Sequence, residues 1–159
     1  MEPSRPLIVQ SDRTVLLEVR SPAYAEARDA ISPFAELEKS PEHVHTYRVT
    51  PLSVWNAAAT GLGAESMLDA LERFAKYPVP ANVRQEIEGW VARFGRVRLE
   101  SDADGMALVS EDAAVLAEVT SSALLREYLR GPVAEGRVPV DAAFRWHVKQ
   151  AVIRLGFPV

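Results

Sequence analysis

The sequence predicts an α+β fold, with a central winged-helix-like unit of three helices flanked by two small ββαβ-type segments that each carry a sheet. Three observations support this expectation. β-rich runs broken by turn residues stand near both ends, amphipathic helical stretches fill the middle, and cap-plus-proline helix starts recur between them.

In chain order, residues 7–10 and 15–19 are β-rich runs around Ser11, Asp12, Arg13 and Thr14, a polar turn-forming tetrad, so they form an antiparallel hairpin. Ser21 followed by Pro22 predicts a helix to Ile31, with the hydroxyl as cap and the proline where a missing N–H costs nothing. Ser32-Pro33 interrupts it, and Phe34, Glu36, Leu37, Glu38 and Lys39 predict a second short helical turn ending at Ser40-Pro41. Residues 45–49 form a strand. Thr50-Pro51 starts a helix carrying Leu52, Val54, Trp55 and Ala58, which stops at Gly61-Leu62-Gly63. Met67, Leu68, Leu71, Phe74 and Ala75 recur at helical spacing over residues 64–76. After Pro78-Val79-Pro80, residues 81–94 form a third helix with Val83, Ile87, Trp90, Val91 and Phe94 inward, closed by Gly95.

Residues 96–100 and 106–109 predict a second hairpin around Ser101, Asp102, Ala103, Asp104 and Gly105. Two short helices over 112–119 and 122–129, an edge strand over 137–140 containing Pro139, and a last helix capped by Asp141 and running to about Leu155 complete the chain. Three domains are expected: a hairpin-helix-strand segment over 1–46, the winged-helix-like unit with its hairpin wing over 47–110, and a helix-helix-strand-helix segment over 111–159 that shares the wing hairpin. The ends also echo one another. Ser11-Asp12 corresponds to Ser101-Asp102 at an offset of 90, and Arg48-Val49 to Arg137-Val138 at an offset of 89.

Composition limits the function. With 48% hydrophobic and 25% charged residues the chain is globular rather than disordered or fibrous. Zero Cys excludes disulfides, thiolate metal sites and Cys nucleophiles and fits a reducing, cytoplasmic setting. No leader or membrane-spanning run is expected. The net charge of −4, distributed as −2, 0 and −2 over residues 1–50, 51–100 and 101–159, excludes a nonspecific polyanion binder, so any nucleic-acid contact is local. Motor and hydrolase signatures are absent: no GxxxxGK[ST] phosphate loop, no GxSxG elbow, no HExxH. His43 and His45 share one face of an extended segment, yet His147 is remote, so no metal is expected. The acid pairs Glu36/Glu38, Glu86/Glu88 and Asp102/Asp104 stand two apart and do not converge as catalytic carboxylates.

Three helices followed by a hairpin is the order of a winged helix, in which the third helix can enter a major groove while the wing touches the backbone. Arg84 and Arg93 on that helix, with Arg96 and Arg98 on the wing, are the candidate DNA contacts. Against Glu86 and Glu88 they leave a local charge of +2. That suits weak, strongly salt-dependent phosphate binding. The alternatives are a solvated arginine face or a protein-docking surface. Trp55, Trp90 and Trp146 fall among apolar helical residues and are expected in the core.

Residues 6–12, the long run 32–61 with His43-Val44-His45-Thr46-Tyr47-Arg48 and Trp55-Asn56-Ala57-Ala58-Ala59-Thr60-Gly61, and residues 71–80 ending Tyr77-Pro78-Val79-Pro80 resemble the N-terminal region of bacterial XPB-type DNA repair helicases. The resemblance continues through Ile87-Glu88-Gly89-Trp90-Val91-Ala92-Arg93-Phe94-Gly95-Arg96-Val97-Arg98-Leu99 to Leu155-Gly156-Phe157-Pro158 and is generic over about 110–145. It implies a helicase-associated module set ahead of two RecA-like lobes that hydrolyse ATP and unwind DNA with 3′ to 5′ polarity. None of the family's catalytic residues falls on a position of this chain. The implied role is therefore a non-catalytic accessory domain, either excised from a larger helicase or encoded alone, that assists engagement of DNA, including damaged duplex. Its expected partners are DNA through a weak local patch and the motor lobes or a nuclease, with no membrane and no cofactor. A protein-interaction or autoinhibitory module that docks on the motor lobes without touching DNA is the competing expectation.

Overall fold

Apolar residues at alternate positions need one face covered, and in the computed structural model, which describes residues 2–103 and 105–159, they obtain it in two separate cores. The chain divides into units Met1–Val91 and Ala92–Val159, a boundary inside the 47–110 span expected as one unit. Among the described residues no helix is long and apolar enough to cross a membrane.

In the first unit β1 (Leu7–Val9) pairs antiparallel with β2 (Thr14–Glu18), placing Leu7 opposite Leu17 and Val9 opposite Val15. The turn closes as the tetrad predicts: Asp12 Oδ1 accepts the Thr14 N–H at 3.0 Å and Arg13 takes a left-handed φ of 72°. Helix α1 (Tyr24–Ile31) begins later than Ser21-Pro22 suggests. Ser21 Oγ accepts the Ala23 N–H at 3.2 Å, so that serine closes a turn and leaves Ala23 at the cap position.

The helical turn expected over 34–39 is instead a strand, β3 (Glu36–Lys39), paired with β4 (Val44–Arg48). Four residues before Ser40-Pro41 are too few for a stable helix. The pairing sets Glu36 opposite Arg48, and Glu38 Oε1 accepts Arg48 Nε at 2.7 Å. All four β3 residues are exposed and three are charged, as befits a sheet edge. The sheet order is β1-β2-β4-β3.

Helices α2 (Pro51–Ala59), α3 (Ala64–Phe74) and α4 (Ala81–Arg93) follow. Thr50 forms a complete capping box: its Oγ1 accepts the Ser53 N–H at 3.0 Å while Ser53 Oγ accepts the Thr50 N–H at 2.9 Å. Ser53 Oγ also donates to the buried Phe34 carbonyl at 2.7 Å. Replacing Thr50 with Ala is expected to lower unfolding free energy by about 1 kcal/mol in urea titration, and Thr50→Ser to restore most of it. Trp55 is buried as expected, its indole N–H donating to the Trp90 carbonyl at 3.0 Å. Phe94, expected inward, is 39% exposed, because α4 ends at Arg93 and Gly95 turns the chain with φ 76°.

In the second unit β5 (Arg98–Asp102), β6 (Gly105–Val109) and β7 (Arg137–Val140) form an antiparallel sheet in that order. Asp104, in the predicted turn, lies outside the described residues. The strand starts at Arg98, so Arg96 precedes it rather than sharing its face. Helix α5 (Ala113–Thr120) is capped by Asp112, whose Oδ1 accepts the Ala114 and Val115 N–H groups. Only a 3₁₀ turn, Arg126–Tyr128, occupies the expected helix at 122–129. There Leu129 bridges Val140, and the Arg130 N–H bonds the Pro139 carbonyl at 2.9 Å, so pairing with β7 draws the backbone out of helix.

Asp141 Oδ1 accepts the Ala143 N–H of a 3₁₀ turn, Ala142–Phe144, and helix α6 (Arg145–Arg154) follows. Gly156, at φ 97°, turns Phe157 back into a core that holds Leu108, Leu116, Leu125 and Val152. The echo seen in the sequence recurs in topology. Each unit runs hairpin, helix, a strand antiparallel to the hairpin's second strand, then helix, and the first unit adds β3, α3 and α4.

The Ala143 N–H first, and then Arg130 Nη2 at 2.5 Å, hold the Asp141 carboxyl below its ordinary 3.8. The folded state thus binds that proton more weakly than the unfolded chain. The contribution is complete above the ordinary value and is lost as pH falls through the depressed one. Unfolding free energy should drop with acidification in that window, and Asp141→Asn, which keeps a capping side chain, should flatten the slope in a pH series of urea titrations.

Candidate nucleic-acid interface

The four predicted arginines meet different surroundings. Arg84, on α4 of the first unit, forms an ion pair with Glu72 of α3. The other three stand in the second unit. Arg93 lays its guanidinium 5.3 Å from the centre of the Phe157 ring. Arg96 donates from Nε to the Ala92 carbonyl at 3.1 Å and sets Nη1 3.5 Å from Asp112 Oδ2. Arg98, on β5, has Nε 3.3 Å from Glu100 Oε1 and Nη1 3.9 Å from Glu111 Oε1. Arg96 and Arg98 thus share one recess with Glu111 and Asp112, where the acids offset their charge.

Arg98 also faces a second recess of about 430 Å³ in the same unit, and there the balance differs. Its walls are apolar, formed by Phe94, Val97, Leu99 and Pro158, and its polar side chains are Arg98, Arg145 and Lys149. Among the described residues no Asp or Glu side chain lines it, and Val159 completes the wall. Helix α6 supplies Arg145 and Lys149 at i and i+4, hence on one face, and contains no acidic residue at all. Sequence reading missed both because it sought cations only on the third helix and the wing. The signal was present: a helix with three cations and no acid inside an otherwise acidic C-terminal third.

Arg98 is not committed to its acidic neighbours. Glu100 lies 2.9 Å from Arg137 Nη1 on β7, and Arg137 first and Arg98 second hold its carboxyl below the usual range. Glu100 therefore retains a partner if Arg98 turns away. The Arg98 pairs are exposed, and such pairs contribute only about 0–1 kcal/mol, so an incoming phosphate displaces them at little cost.

His45 Nδ1 lies 3.4 Å from the Tyr24 hydroxyl. His43 Nε2 approaches Glu42 at 3.9 Å. Among the described residues no three His, Asp or Glu side chains converge as a metal site. Trp146, expected in the core, is instead 68% exposed. The α6 stripe that packs inward is Val148, Ala151 and Val152, and at 100° per residue Trp146 lies well off it.

The model of a family described as helicase conserved C-terminal domain matches residues 7–131. A DNA 3'-5' helicase XPB of Mycobacterium tuberculosis is 47% identical over 154 residues, which are 96% of this chain and 28% of that protein. The protein of the same name from Kineococcus radiotolerans is also 47% identical, over the same shares. The general transcription and DNA repair factor IIH helicase/translocase subunit XPB/SSL2 of Saccharomyces cerevisiae is 35% identical over 97 residues, 60% of this chain and 12% of that protein. The chain therefore spans less than a third of the bacterial relatives' length.

Proposed function

Since the chain belongs to the helicase conserved C-terminal domain family and is similar to bacterial XPB helicases, we propose that it is a non-catalytic accessory segment of an ATP-dependent 3′–5′ DNA repair helicase, ahead of the motor lobes, that holds DNA by its phosphates. The family's description speaks of a C-terminal helicase domain, so the order of segment and motor is part of this proposal. One observation carries the DNA contact: Arg98, Arg145 and Lys149 line a recess that has no Asp or Glu side chain among its described lining residues. Arg93 and Arg96 are assigned to the rim of the contact and Arg84 to a secondary one. In the same reading the β5–β6 hairpin of the second unit is a wing that presents Arg98. ATP chemistry is assigned to the rest of the helicase, because this sequence has no phosphate loop. The cytoplasm is the assigned compartment.

Three phosphate contacts give a salt slope of about −2.7 and micromolar or weaker affinity. Fluorescence anisotropy with a labelled 20-base-pair duplex should therefore show affinity falling about 40-fold between 50 and 200 mM salt. Binding insensitive to salt, or none at 50 mM, contradicts the proposal. A second reading has its own support, since Arg84, Arg96 and Arg98 each face an acid of this chain. There the segment docks on the motor lobes, or on a nuclease, and never touches DNA. A pull-down by the isolated motor, with no DNA shift at low salt, selects it.

A further inference from the structure

The opposite flank of α6 carries a second recess of about 430 Å³ with different chemistry. Leu124, Tyr128, Trp146, His147, Gln150 and Arg154 line it, with Glu127 as its one acid. Trp146 is 68% exposed, and Leu124 and the adjoining Phe144 are 37% and 39% exposed. Large apolar residues rarely gather on a surface without a partner, and Trp, Tyr and Arg are the side chains that dominate protein interfaces.

The rings bear on the kind of partner. Tyr128, Phe144 and His147 pack on one another, with centroids 5.3 Å, 5.4 Å and 5.8 Å apart in tilted and edge-on arrangements. At 39° and 74° to one another they do not form a row of parallel faces. Trp146 has one face covered by Lys149 Nζ, 5.5 Å from its centre. A single-stranded nucleic acid needs successive open ring faces on which to stack its bases, and this surface offers one. It offers instead a walled pocket for a single bulky side chain. The charge beside Trp146 favours an acid: Arg154 on the recess wall and Lys149 over the Trp146 ring outnumber Glu127.

We propose that this aromatic recess docks an acidic protein segment, inserting a Leu or aromatic side chain beside Trp146 while its carboxylates meet Arg154 and Lys149. The two recesses lie on opposite flanks of α6 and share Lys149 between them, and the docking proposal does not rest on the DNA reading.

The test uses the whole 159-residue chain, labelled with ¹⁵N, and follows the tryptophan indole N–H signals. The probes are a 12-residue peptide with Leu and Phe four apart among Glu residues, the same peptide with Leu and Phe replaced by Ser, and a 12-nucleotide oligo-dT. The first peptide should shift the Trp146 indole and leave Trp55 unmoved, and the Ser peptide should not. Trp146→Ala and Arg154→Glu should each weaken binding about tenfold or more, whereas Arg98→Glu should leave it unchanged. Leu124→Ser gives a second loss without touching an aromatic ring. A Trp146 shift with oligo-dT but not with the peptide overturns the proposal in favour of nucleic acid. Failure of the first peptide to shift Trp146, or unchanged binding by Trp146→Ala, overturns it outright.

Discussion

Replacing Arg98, Arg145 and Lys149 together by Glu should reduce affinity for a 20-base-pair duplex at 50 mM salt by about a hundredfold. Each lost phosphate contact costs roughly 1 kcal/mol, and the introduced carboxylates repel the backbone besides. The triple Gln variant separates these effects. It loses the contacts without adding repulsion, and its salt slope should fall from about −2.7 to near zero. The Arg98 side chain is 46% exposed, and exposed pairs contribute little to stability, so both variants should keep the wild-type Tm within a few degrees. A variant that binds as wild type while remaining folded removes the recess from the DNA contact. Charge reversal of Arg93 and Arg96 tests the rim, with a smaller loss expected because Arg96 already faces Asp112.

The largest stability effect is expected at Phe34. Its side chain is wholly buried in the first unit's core, and its carbonyl accepts from Ser53 Oγ. It sits where the chain leaves α1 and enters β3, so one ring packs at the junction of a helix and a sheet edge. Removing the ring forfeits its burial and leaves a cavity, about 3–5 kcal/mol together. That is a large share of the 5–15 kcal/mol that holds a domain folded. Phe34→Leu should cost much less, because most of the volume remains. Urea titration of the three proteins checks the order, and equal midpoints for wild type and Phe34→Ala would show that the ring is not packed as described.

Local chemistry decided how much of this was legible in the sequence. Thr50-Pro51 announced α2 because a hydroxyl cap and a proline act within one turn, and the Ser11–Thr14 and Asp141 signals were equally local. The strand β3 was hidden because Glu36–Lys39 has no apolar alternation; it is set by pairing with β4, whose partner residues lie further along the chain, as Arg48 does from Glu36. The stretch 122–129 failed for the same reason, since Leu129 answers to Val140 rather than to its own helix.

At the candidate site Arg98 was legible as a cation on a wing, yet its partners were not. Arg145 and Lys149 lie 47 and 51 positions further on and reach the same recess only through the fold. Trp146 shows the limit of judging burial by residue type: its hydrophobicity suggested the core, while the stripe Val148, Ala151 and Val152 already pointed elsewhere.

The central claim is that DNA phosphates enter the recess of Arg98, Arg145 and Lys149. An NMR titration of the whole chain with the 20-base-pair duplex at 50 mM salt addresses it most directly. The backbone amides of these three residues and the Arg98 and Arg145 Nε–H signals should move together, and return when salt is raised to 200 mM. Shifts confined to other surfaces, with these signals unmoved, would contradict it.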